Sequence, residues 1–402
     1  MGYNDSTQIS VLLSFWSHFH SGYMKMPVRL SHWTKYGFQA VWSWLIKSTL
    51  QKSFRLAIHS STGKMPRYFF NFAYLGSRFS GSQLQPNQLT VQGVLENVLA
   101  MVLLSPLGEE PRWYFSSRTD AGVHAIMNTA TVDLDPDREY DSDYLKTALN
   151  SLLTKLDMEI RINSCKRVSG AFCARRHALE RHYLYRLAIL KPEFEPDHSN
   201  NNTSTMQNAH HSLPLIEHRR AWALSSAFNH ERFRKAARLF QGSHNFASFM
   251  TKSVGNLDRP SGISTVKNIA RLEIDHGKAL MDSKHEPYSD LFNFFDVTFV
   301  SRSFLYNQIR RMMACMVAAA NHRIELDDIQ WLLNRPDPAN WAKHHLTLAP
   351  ACGLYLKSIT YDDKDFTEPN PLHCRLQDDA DEEMPYPLPM NVESLLNGNG
   401  DL

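Results

Sequence analysis

Residues 116–125 combine small side chains with three groups that can take part in acid–base or nucleophilic chemistry. The groups are the guanidinium of Arg118, the carboxylate of Asp120 and the imidazole of His124. Loops held by a rigid scaffold are where catalytic groups concentrate, and a guanidinium near a carboxylate can keep it ionised and oriented. The alternative is a turn in which Asp120 accepts hydrogen bonds from nearby backbone N–H groups while Arg118 is solvated. Residues elsewhere in the chain are needed to choose between these two interpretations.

A second segment, residues 172–186, brings cations and aromatic rings together. It contains four arginines and two histidines, interleaved with aromatic residues. Cations bind phosphate, while planar rings and guanidinium groups stack on exposed bases. Tyr183 and Tyr185 would share one face of a strand, so a sheet with tyrosines in the core and arginines in solvent is the alternative. The density of cations, including Arg175 and Arg176, favours contact with RNA.

A third segment, residues 303–313, predicts the start of a helix that carries two arginines in different positions. Arg310 lies at the margin of the predicted buried face, on a flanking stripe with Tyr306. A cation in that position usually needs a carboxylate partner; the alternative is an aliphatic stem that covers the core while the head reaches water. Arg311 projects further out and is predicted to face solvent or phosphate.

Hydrophobic periodicity predicts strands and helices on both sides of a polar segment. Thr90 is the predicted N-cap of the first helix, and Asp141 or Asp143 that of the second. Residues 348–356 contain small side chains before the last strand and are interpreted as a structural packing element. The predicted strands cover about residues 67–74, 112–117, 127–134, 158–168, 182–190, 266–275, 292–301 and 353–361. The predicted helices cover about residues 91–103, 144–152, 230–241, 304–320 and 326–334.

The composition is that of a globular protein whose charge is unevenly distributed. Of the 402 residues, 43% are hydrophobic and 21% are charged, and no uninterrupted apolar run approaches the ~18 residues of a membrane helix. Five widely separated cysteines without a Cys-x-x-Cys pair argue against a disulfide framework and against a zinc site. The last 41 residues carry eleven acidic and two basic side chains, so the formal net charge of +2 leaves +11 on residues 1–361. A basic body suggests an anionic partner such as nucleic acid.

These patterns predict an α+β protein with two related halves around one cleft. Residues 1–65 are basic and poor in acidic side chains, and are interpreted as a transit peptide or as sequence upstream of the working start. Residues 66–191 predict an N-terminal α+β catalytic domain with two helices on one face of a sheet. Residues 192–220 predict a flexible polar insertion before a C-terminal α+β domain at 221–361. Residues 362–402 predict an acidic disordered tail.

Taken in order, the motifs resemble those of the TruA family of RNA pseudouridine synthases. Arg-Thr-Asp-Ala-Gly-Val-His-Ala at 118–125 matches that family's catalytic loop at every position. The resemblance covers about residues 66–361 and is closest to the animal mitochondrial branch of the family. Ser82 is a departure, because many members have a tryptophan there. The matching segments are residues 74–81, 118–125, 172–185, 304–310 and 349–356.

The resemblance implies a pseudouridine synthase fold, with two ferredoxin-like α+β halves and a mainly antiparallel sheet around a catalytic cleft. It implies that Asp120 is the nucleophile that isomerises uridine in RNA, with tRNA as the expected substrate. Arg310 would be the ion-pair partner of Asp120, and Tyr183 would stack on the uracil and transfer a proton. Arg175 would fill the space left when the target nucleotide flips out of its stack.

Further expectations concern RNA contacts and partners. Arg118 is expected to support the loop or contact phosphate, and Arg176, His124 and Arg311 are further candidates for RNA binding. The reaction has no redox step and no external group, so no cofactor and no metal are expected. A homodimer with RNA crossing both subunits is expected, without membrane attachment.

Several alternatives remain open at the level of sequence. Mitochondrial localisation is expected, with cytoplasm or nucleus as alternatives. Whether Asp120 attacks the sugar or the base, or whether a glycal forms, is open. A non-catalytic RNA-binding protein on the same fold, such as an RNA chaperone or ribosome-assembly factor, is the main alternative function. A scaffold protein acting through the acidic tail is another, whereas a base-flipping zinc deaminase would require a Cys/His ligand set that the sequence lacks.

Overall fold

The computed structural model describes residues 65–105, 111–194, 209, 212–251 and 264–370. The predicted leader (apart from Met65), residues 195–208 and 210–211 of the predicted insertion, and residues 371–402 of the predicted tail lie outside the described residues. Among the helices that are described, none has the length and apolar character needed to cross a membrane. In the same part of the chain, no group of three or more His, Cys, Asp or Glu side chains is arranged to hold a metal ion.

The described residues form a ten-stranded sheet with α-helices packed on it. Along the main path the strand order is β4-β1-β3-β10-β5-β9-β8-β7, while β2 pairs with β3 and β6 pairs with β5. The strands are β1 (Arg67–Tyr74), β2 (Trp113–Phe115), β3 (His124–Asp133), β4 (Ile160–Val168), β5 (Glu180–Leu190), β6 (Trp222–Leu224), β7 (Gly242–Asn245), β8 (Val266–His276), β9 (Phe292–Ser301) and β10 (Leu354–Thr360). The helices are α1 (Val91–Leu103), α2 (Ser142–Lys155), α3 (His230–Phe240), α4 (Gln308–Ala320) and α5 (Leu326–Asn334).

The sheet is mostly antiparallel, which confirms the predicted α+β fold class. Among the described pairs, β10–β3 and β5–β6 are parallel and the others are antiparallel. Strand β10, from the end of the described chain, lies between β3 and β5. The sheet therefore continues from the strands of the predicted N-terminal half into those of the predicted C-terminal half. The division into an N-terminal and a C-terminal domain stays a prediction.

The first two helices begin where the sequence predicts. The Thr90 side chain accepts a hydrogen bond from the backbone N–H of Gly93, and the Asp141 side chain accepts one from Tyr144. Each bond satisfies an N–H group that has no partner within the helix. The second helix then buries a leucine at every fourth position, which places one face on the sheet. The choice that the sequence left open between two caps is therefore resolved in favour of Asp141.

Helix α4 starts four residues later than predicted, at Gln308. Asn307 has a φ of 62°, in the left-handed region, which asparagine tolerates better than most residues. The backbone N–H of Leu305 donates to the Gln308 side-chain oxygen at 2.8 Å. These features form a turn before the helix, and they put Arg310 in the first helical turn, at the sheet end that carries the candidate site.

Part of the predicted flexible insertion is a buried anchor. Glu217 has no exposed surface, and its Oε2 lies 2.7 Å from Nη1 of Arg186, which is itself buried. The backbone N–H of Leu280 donates to Glu217 Oε1 at 2.6 Å. A buried ion pair with additional hydrogen bonds fixes its segment firmly, because removing either partner leaves an uncompensated charge. The prediction of flexibility is therefore wrong for this segment, which contacts strand β5 and the connection between β8 and β9.

The start of the predicted acidic tail also packs on the sheet. Residues Asp363–Phe366 form a 3₁₀ helix. The ring of Phe366 lies 5.1 Å from that of Phe69 and 4.8 Å from that of Phe172, measured between centroids. Aromatic packing of this kind stabilises the fold through buried area and ring geometry. Disorder is therefore the wrong prediction for these residues.

Candidate active site

The loop that follows β2 and leads into β3 carries Asp120 on a tight turn. The backbone N–H of Val123 donates to the carbonyl of Asp120 at 3.1 Å. Gly122 has a φ of +80°, and a Cβ at this position would lie 3.3 Å from the Cβ of Ala351. A side chain would therefore be strained by the backbone conformation and crowded by its neighbour. The glycine allows the turn to pack closely while the Asp120 side chain stays at the site.

Asp120 and Arg310 face each other across the site, as the sequence predicts. Their closest atoms, Oδ2 and Nη1, are 3.7 Å apart, and the two side chains are 25% and 16% exposed. This is a charge contact rather than a short hydrogen bond. The Arg310 guanidinium is fixed from behind: Nε donates to the Ala349 carbonyl at 2.8 Å and Nη1 to Asn307 Oδ1 at 3.1 Å. The guanidinium therefore lies at a defined distance from the carboxylate.

Two opposing effects act on the charge of Asp120. Burial raises the pKa of the carboxyl group above its ordinary value, and the positive charge of Arg310 opposes that rise. Burial is the larger effect, because few solvent molecules can stabilise the ionised form. The carboxylate is consequently poorly solvated and depends on Arg310 to stay ionised, which are conditions that suit a nucleophile.

Tyr183 lies beside this pair on β5, with its side chain almost fully buried. Its ring packs edge-on against Phe304, with centroids 5.3 Å apart, and its hydroxyl lies 2.7 Å from Oγ of Ser117. Burial raises the pKa of Tyr183, the Ser117 hydrogen bond opposes this rise, and the charge of Asp120 adds to it. The phenol is therefore protonated at neutral pH and can exchange a proton with the Ser117 hydroxyl.

Buried hydrogen bonds hold the backbone on both sides of Asp120, and sequence reasoning missed them. The Tyr74 hydroxyl lies 2.7 Å from Oγ1 of Thr119, and the Asn128 side-chain amide donates to the Ser117 carbonyl at 3.0 Å. All of these side chains are buried. Satisfied buried networks are rigid, because breaking one bond leaves a polar group without water. Bonds between distant segments leave no periodic signal by which the sequence could have revealed them.

Comparisons with known proteins identify the family. The sequence profile of the tRNA pseudouridine synthase family matches residues 236–362. The tRNA pseudouridine synthase-like 1 proteins of Xenopus laevis and Homo sapiens are each 32% identical to this chain, over 312 and 300 residues, covering 76% and 73% of it and 93% and 90% of the relatives. tRNA pseudouridine synthase A of Limosilactobacillus fermentum is 33% identical over 299 residues, covering 74% of this chain and 97% of that protein. The chain belongs to the TruA family of tRNA pseudouridine synthases.

Ser82, where this chain departs from the TruA pattern, is bonded to the loop that carries Asp120. The backbone N–H of Thr119 donates to the Ser82 hydroxyl oxygen at 2.7 Å, and the Ser82 N–H donates to the Thr119 carbonyl at 3.0 Å. Ser82 is fully buried, and its carbonyl accepts from the N–H of Gln92 in the first turn of α1. In this chain the position therefore ties α1 to the loop immediately before Asp120.

Replacing Ser82 with alanine should loosen the loop. The Thr119 N–H would lose its acceptor in a buried position, and an unsatisfied group of this kind costs about 1–3 kcal/mol. We expect a lower free energy of unfolding in denaturant titrations and a reduced single-turnover rate, with RNA affinity unchanged. The control is Ser80→Ala, because the Ser80 hydroxyl donates to Gln88 at an exposed position. Equal free energies of unfolding and equal single-turnover rates in Ser82→Ala and Ser80→Ala would contradict a role of the Ser82 hydroxyl in holding the loop.

Arginines around the loop differ in exposure. Arg118 and Arg176 are exposed, and Arg175 is half-buried. Arg181, which the sequence analysis did not assign to the site, donates through Nη2 to the carbonyls of Ser116 at 2.8 Å and Arg175 at 3.2 Å. The basic segment that follows Phe172 is thereby held against the loop that carries Asp120.

His124 is buried in the protein and does not reach the surface. It has no exposed area. Its Nδ1 accepts from the Gly76 N–H at 3.0 Å, and its Nε2 lies 2.9 Å from the Arg219 carbonyl, to which it donates. Burial lowers the pKa of His124 and favours the neutral ring. The prediction that His124 contacts RNA is therefore wrong, because the ring joins three segments of the protein.

Arg311 is likewise a structural residue rather than a phosphate ligand. Its Nη1 donates to the carbonyls of Ser248 at 3.0 Å and Met250 at 2.8 Å. Its guanidinium also lies over the ring of Trp341, 4.7 Å from the centroid. Burial lowers the pKa of the group. The predicted orientation towards solvent or phosphate is wrong, because the start of α4 is covered by the segment around residues 247–250.

Proposed function

We propose that this chain isomerises specific uridines in tRNA to pseudouridine, with Asp120 as the nucleophile. The observation that carries the proposal is the pairing of Asp120 with Arg310 at 3.7 Å beside the buried Tyr183 hydroxyl. The names of the relatives, tRNA pseudouridine synthase A and tRNA pseudouridine synthase-like 1, support tRNA as the substrate class.

The reaction requires a rearrangement of bonds but no net transfer of atoms. The bond between C1′ of the ribose and N1 of uracil breaks, the base rotates, and a bond forms between C1′ and C5. N1 ends with a proton, and C5 loses the proton it carried. A carboxylate suits the step because it can bond covalently to the substrate and then leave. The proposal does not depend on whether Asp120 first bonds to the sugar or the base.

Arg310 would keep the nucleophile charged when RNA covers the site. An RNA chain excludes water, which strengthens the burial effect that already raises the pKa of Asp120. The guanidinium is held by the Ala349 carbonyl and therefore needs little rearrangement as charge develops. Arg310 thus acts by electrostatic stabilisation of a group that touches the substrate.

Tyr183 would hold the uracil and relay the proton lost from C5. Its ring packs against Phe304 beside the Asp120–Arg310 pair, and its hydroxyl is paired with Ser117. Because burial keeps the phenol protonated, it is a poor resting base. It can instead accept a proton on oxygen while its own proton passes to the Ser117 oxygen and the Ser117 proton passes to water, so that neither hydroxyl keeps an extra proton.

Tyr183→Phe tests the relay while keeping the ring. We expect about a 10²-fold lower single-turnover rate, the lower end of what general acid–base groups contribute, with RNA affinity unchanged. The control is Tyr185→Phe, because the buried Tyr185 hydroxyl donates to the Pro350 carbonyl at 2.6 Å outside the proposed relay. If both variants lost activity equally, the hydroxyl of Tyr183 would have no specific role.

The exposed cations beside the loop would bind the RNA backbone and support base flipping. We propose that Arg118 and Arg176 contact phosphate, and that Arg175 occupies the space left by the flipped nucleotide. Phosphate contacts orient the RNA without reading its sequence. Flipping costs a few kcal/mol and least in loops or weak stems, so a flexible tRNA stem-loop is the expected target.

Pseudouridine mapping tests the proposed function directly. RNA from cells with and without the protein would be compared at single-nucleotide resolution, together with unmodified tRNA transcripts treated with the purified chain. The proposal predicts tRNA positions that carry pseudouridine when the protein is present and uridine when it is absent. Unchanged maps in both comparisons would contradict it and would favour an RNA-binding role without catalysis.

We also propose that the protein acts in mitochondria and as a homodimer. The composition of residues 1–65 supports the first proposal, and the family resemblance supports the second. Fractionation of cells that produce a C-terminally tagged chain, with N-terminal sequencing of the mature protein, tests the localisation. Light scattering of the purified protein tests the dimer; a monomer mass at micromolar concentration would contradict it.

A further inference from the structure

A cavity of about 380 Å³ lies at the end of the sheet where β5 and β8 begin and β9 ends. Its volume is within the range of pockets that hold small ligands. Asp120, Tyr183 and Arg310 are not part of its wall, so it is a separate feature from the proposed catalytic group. The residues that matter for its chemistry are Lys267, Arg302, Glu180, Ser243, Asn268 and Ser303.

The lining of the cavity suits an anion. Two cations, Lys267 and Arg302, and one carboxylate, Glu180, line the cavity, and the Glu180 carboxylate is also 3.2 Å from Nε2 of His182. Lys267 is 8% exposed, although lysine rarely lies below the protein surface. Hydroxyl and amide groups supply further donors. Phosphate oxygens in nucleic acids are bound by this combination of Lys or Arg with neutral polar side chains.

The strand register puts Lys267 on the same face of the sheet as Tyr183. Arg181 pairs with Ser301 on β9, and Ser301 pairs with Ile269 on β8. Directly opposed residues share a face, and so do residues two apart along a strand. Lys267 is two residues from Ile269, and Tyr183 is two residues from Arg181. Lys267 and Tyr183 lie on opposite sides of the row formed by Arg181, Ser301 and Ile269, so strand spacing and rise place their Cα atoms roughly 16 Å apart.

The cavity wall and the proposed active site share their supports. The guanidinium of Arg181 donates to the carbonyl of Arg302 and also to that of Ser116, at 2.8 Å for the latter. Phe304, two residues after Arg302, packs edge-on against the ring of Tyr183. The cavity is therefore fixed relative to the catalytic loop and within reach of RNA whose uridine lies at Tyr183.

We propose that this cavity binds a nucleotide next to the target uridine, with its phosphate held by Lys267 and Arg302. The inference rests on the proposed function, because it assumes that RNA occupies the neighbouring site. It assigns a substrate-binding role to two cations that no sequence motif identified. Such a contact would fix the register of the RNA, so that one uridine rather than its neighbour enters the active site.

The test measures how RNA affinity depends on salt. Each phosphate contact that is lost lowers the slope of log affinity against log salt concentration by about 0.7–0.9. The probe is a labelled, unmodified tRNA transcript, titrated between about 50 and 200 mM salt. We expect Lys267→Met and Arg302→Gln each to weaken binding and to reduce the slope by that amount. The matched control is Lys284→Met, because Lys284 is exposed in the connection at the opposite end of β8 and β9 and should leave the slope unchanged.

The outcomes separate this inference from the proposed function. Binding is measured without turnover. A reduced slope in the cavity variants would therefore support the phosphate contact even if the parent makes no pseudouridine, whereas that lack of pseudouridine would contradict the proposed function. Slopes equal to that of the parent in both cavity variants would overturn the inference even if the enzyme is active. If Lys267→Met fails to fold, as its thermal melt would show, Arg302→Gln decides alone. A parent protein that does not bind the transcript would overturn both.

Discussion

Asp120→Asn is expected to reduce pseudouridine formation by at least about 10⁴-fold, the scale of loss when a nucleophile is removed. Asparagine keeps the size of the side chain but cannot supply the anionic oxygen that bonds to the substrate. RNA affinity should stay close to that of the parent. The control is Asp137→Asn, which removes an exposed carboxylate in the turn after β3. Activity of the Asp120 variant within tenfold of the parent would contradict the assignment.

The same variant should not lose stability, which separates catalysis from folding. Burial raises the pKa of Asp120 in the folded state above its ordinary value. The folded protein then binds the proton more tightly than the unfolded chain, so stability is lost as pH rises through this window. At neutral pH the ionised carboxylate therefore lowers stability, and the asparagine does not. Denaturation at neutral pH should show an equal or higher free energy of unfolding for Asp120→Asn, and the difference should vanish in acid.

Arg310→Leu should lower kcat/KM by about 10²–10³-fold, the range for removal of one electrostatic stabiliser. The positive charge of Arg310 lowers the pKa of Asp120, so its removal leaves burial unopposed. The acidic limb of the pH–rate profile should therefore move to higher pH. Part of the lost activity should return as pH rises, because more Asp120 is then ionised.

Two further variants, at Arg310 and at the adjacent Arg311, test whether the shift of the acidic limb comes from the charge of Arg310. Arg310→Lys keeps a positive charge and should hold the acidic limb nearer to that of the parent. Arg311→Leu removes a guanidinium that donates to two backbone carbonyls, Ser248 and Met250. Arg311→Leu should lower the free energy of unfolding without moving the acidic limb of the pH–rate profile. An unchanged limb in Arg310→Leu, measured over the full pH range, would show that the ion pair does not control the charge of Asp120.

Local patterns allowed much of the fold to be predicted. Strand β1, helix α1, strand β9 and helix α5 have the bounds expected from the sequence, because alternation, helical periodicity and caps act within a few residues. The short strands β6 and β7 were missed, since three or four residues are too few to show a period. The predicted start of α4 was wrong because the turn at Asn307 depends on a residue in the left-handed region and on a side-chain hydrogen bond.

The motif order identified the site segments but not the direction of every side chain. Asp120 and Arg310 pair as the resemblance implied, and Tyr183 is close enough for the charge of Asp120 to raise its pKa. His124 and Arg311 belong to the same motifs, yet both are bonded to backbone carbonyls of other segments. Whether a polar side chain in a motif faces substrate or protein depends on long-range packing, which one sequence does not reveal. For the same reason, the sequence did not reveal the hydrogen bonds between Ser82 and Thr119 or the ion pair between Glu217 and Arg186.

Release of tritium from tRNA that contains uridine labelled at C5 is the most direct test of the central claim. Forming the bond between C1′ and C5 expels the hydrogen at C5, so one tritium enters water for each pseudouridine made. The parent chain should release tritium in step with the pseudouridine counted after nuclease digestion, while Asp120→Asn should release none above background. No release by the parent, or release by Asp120→Asn at the parent's rate, would contradict the proposed catalysis by Asp120.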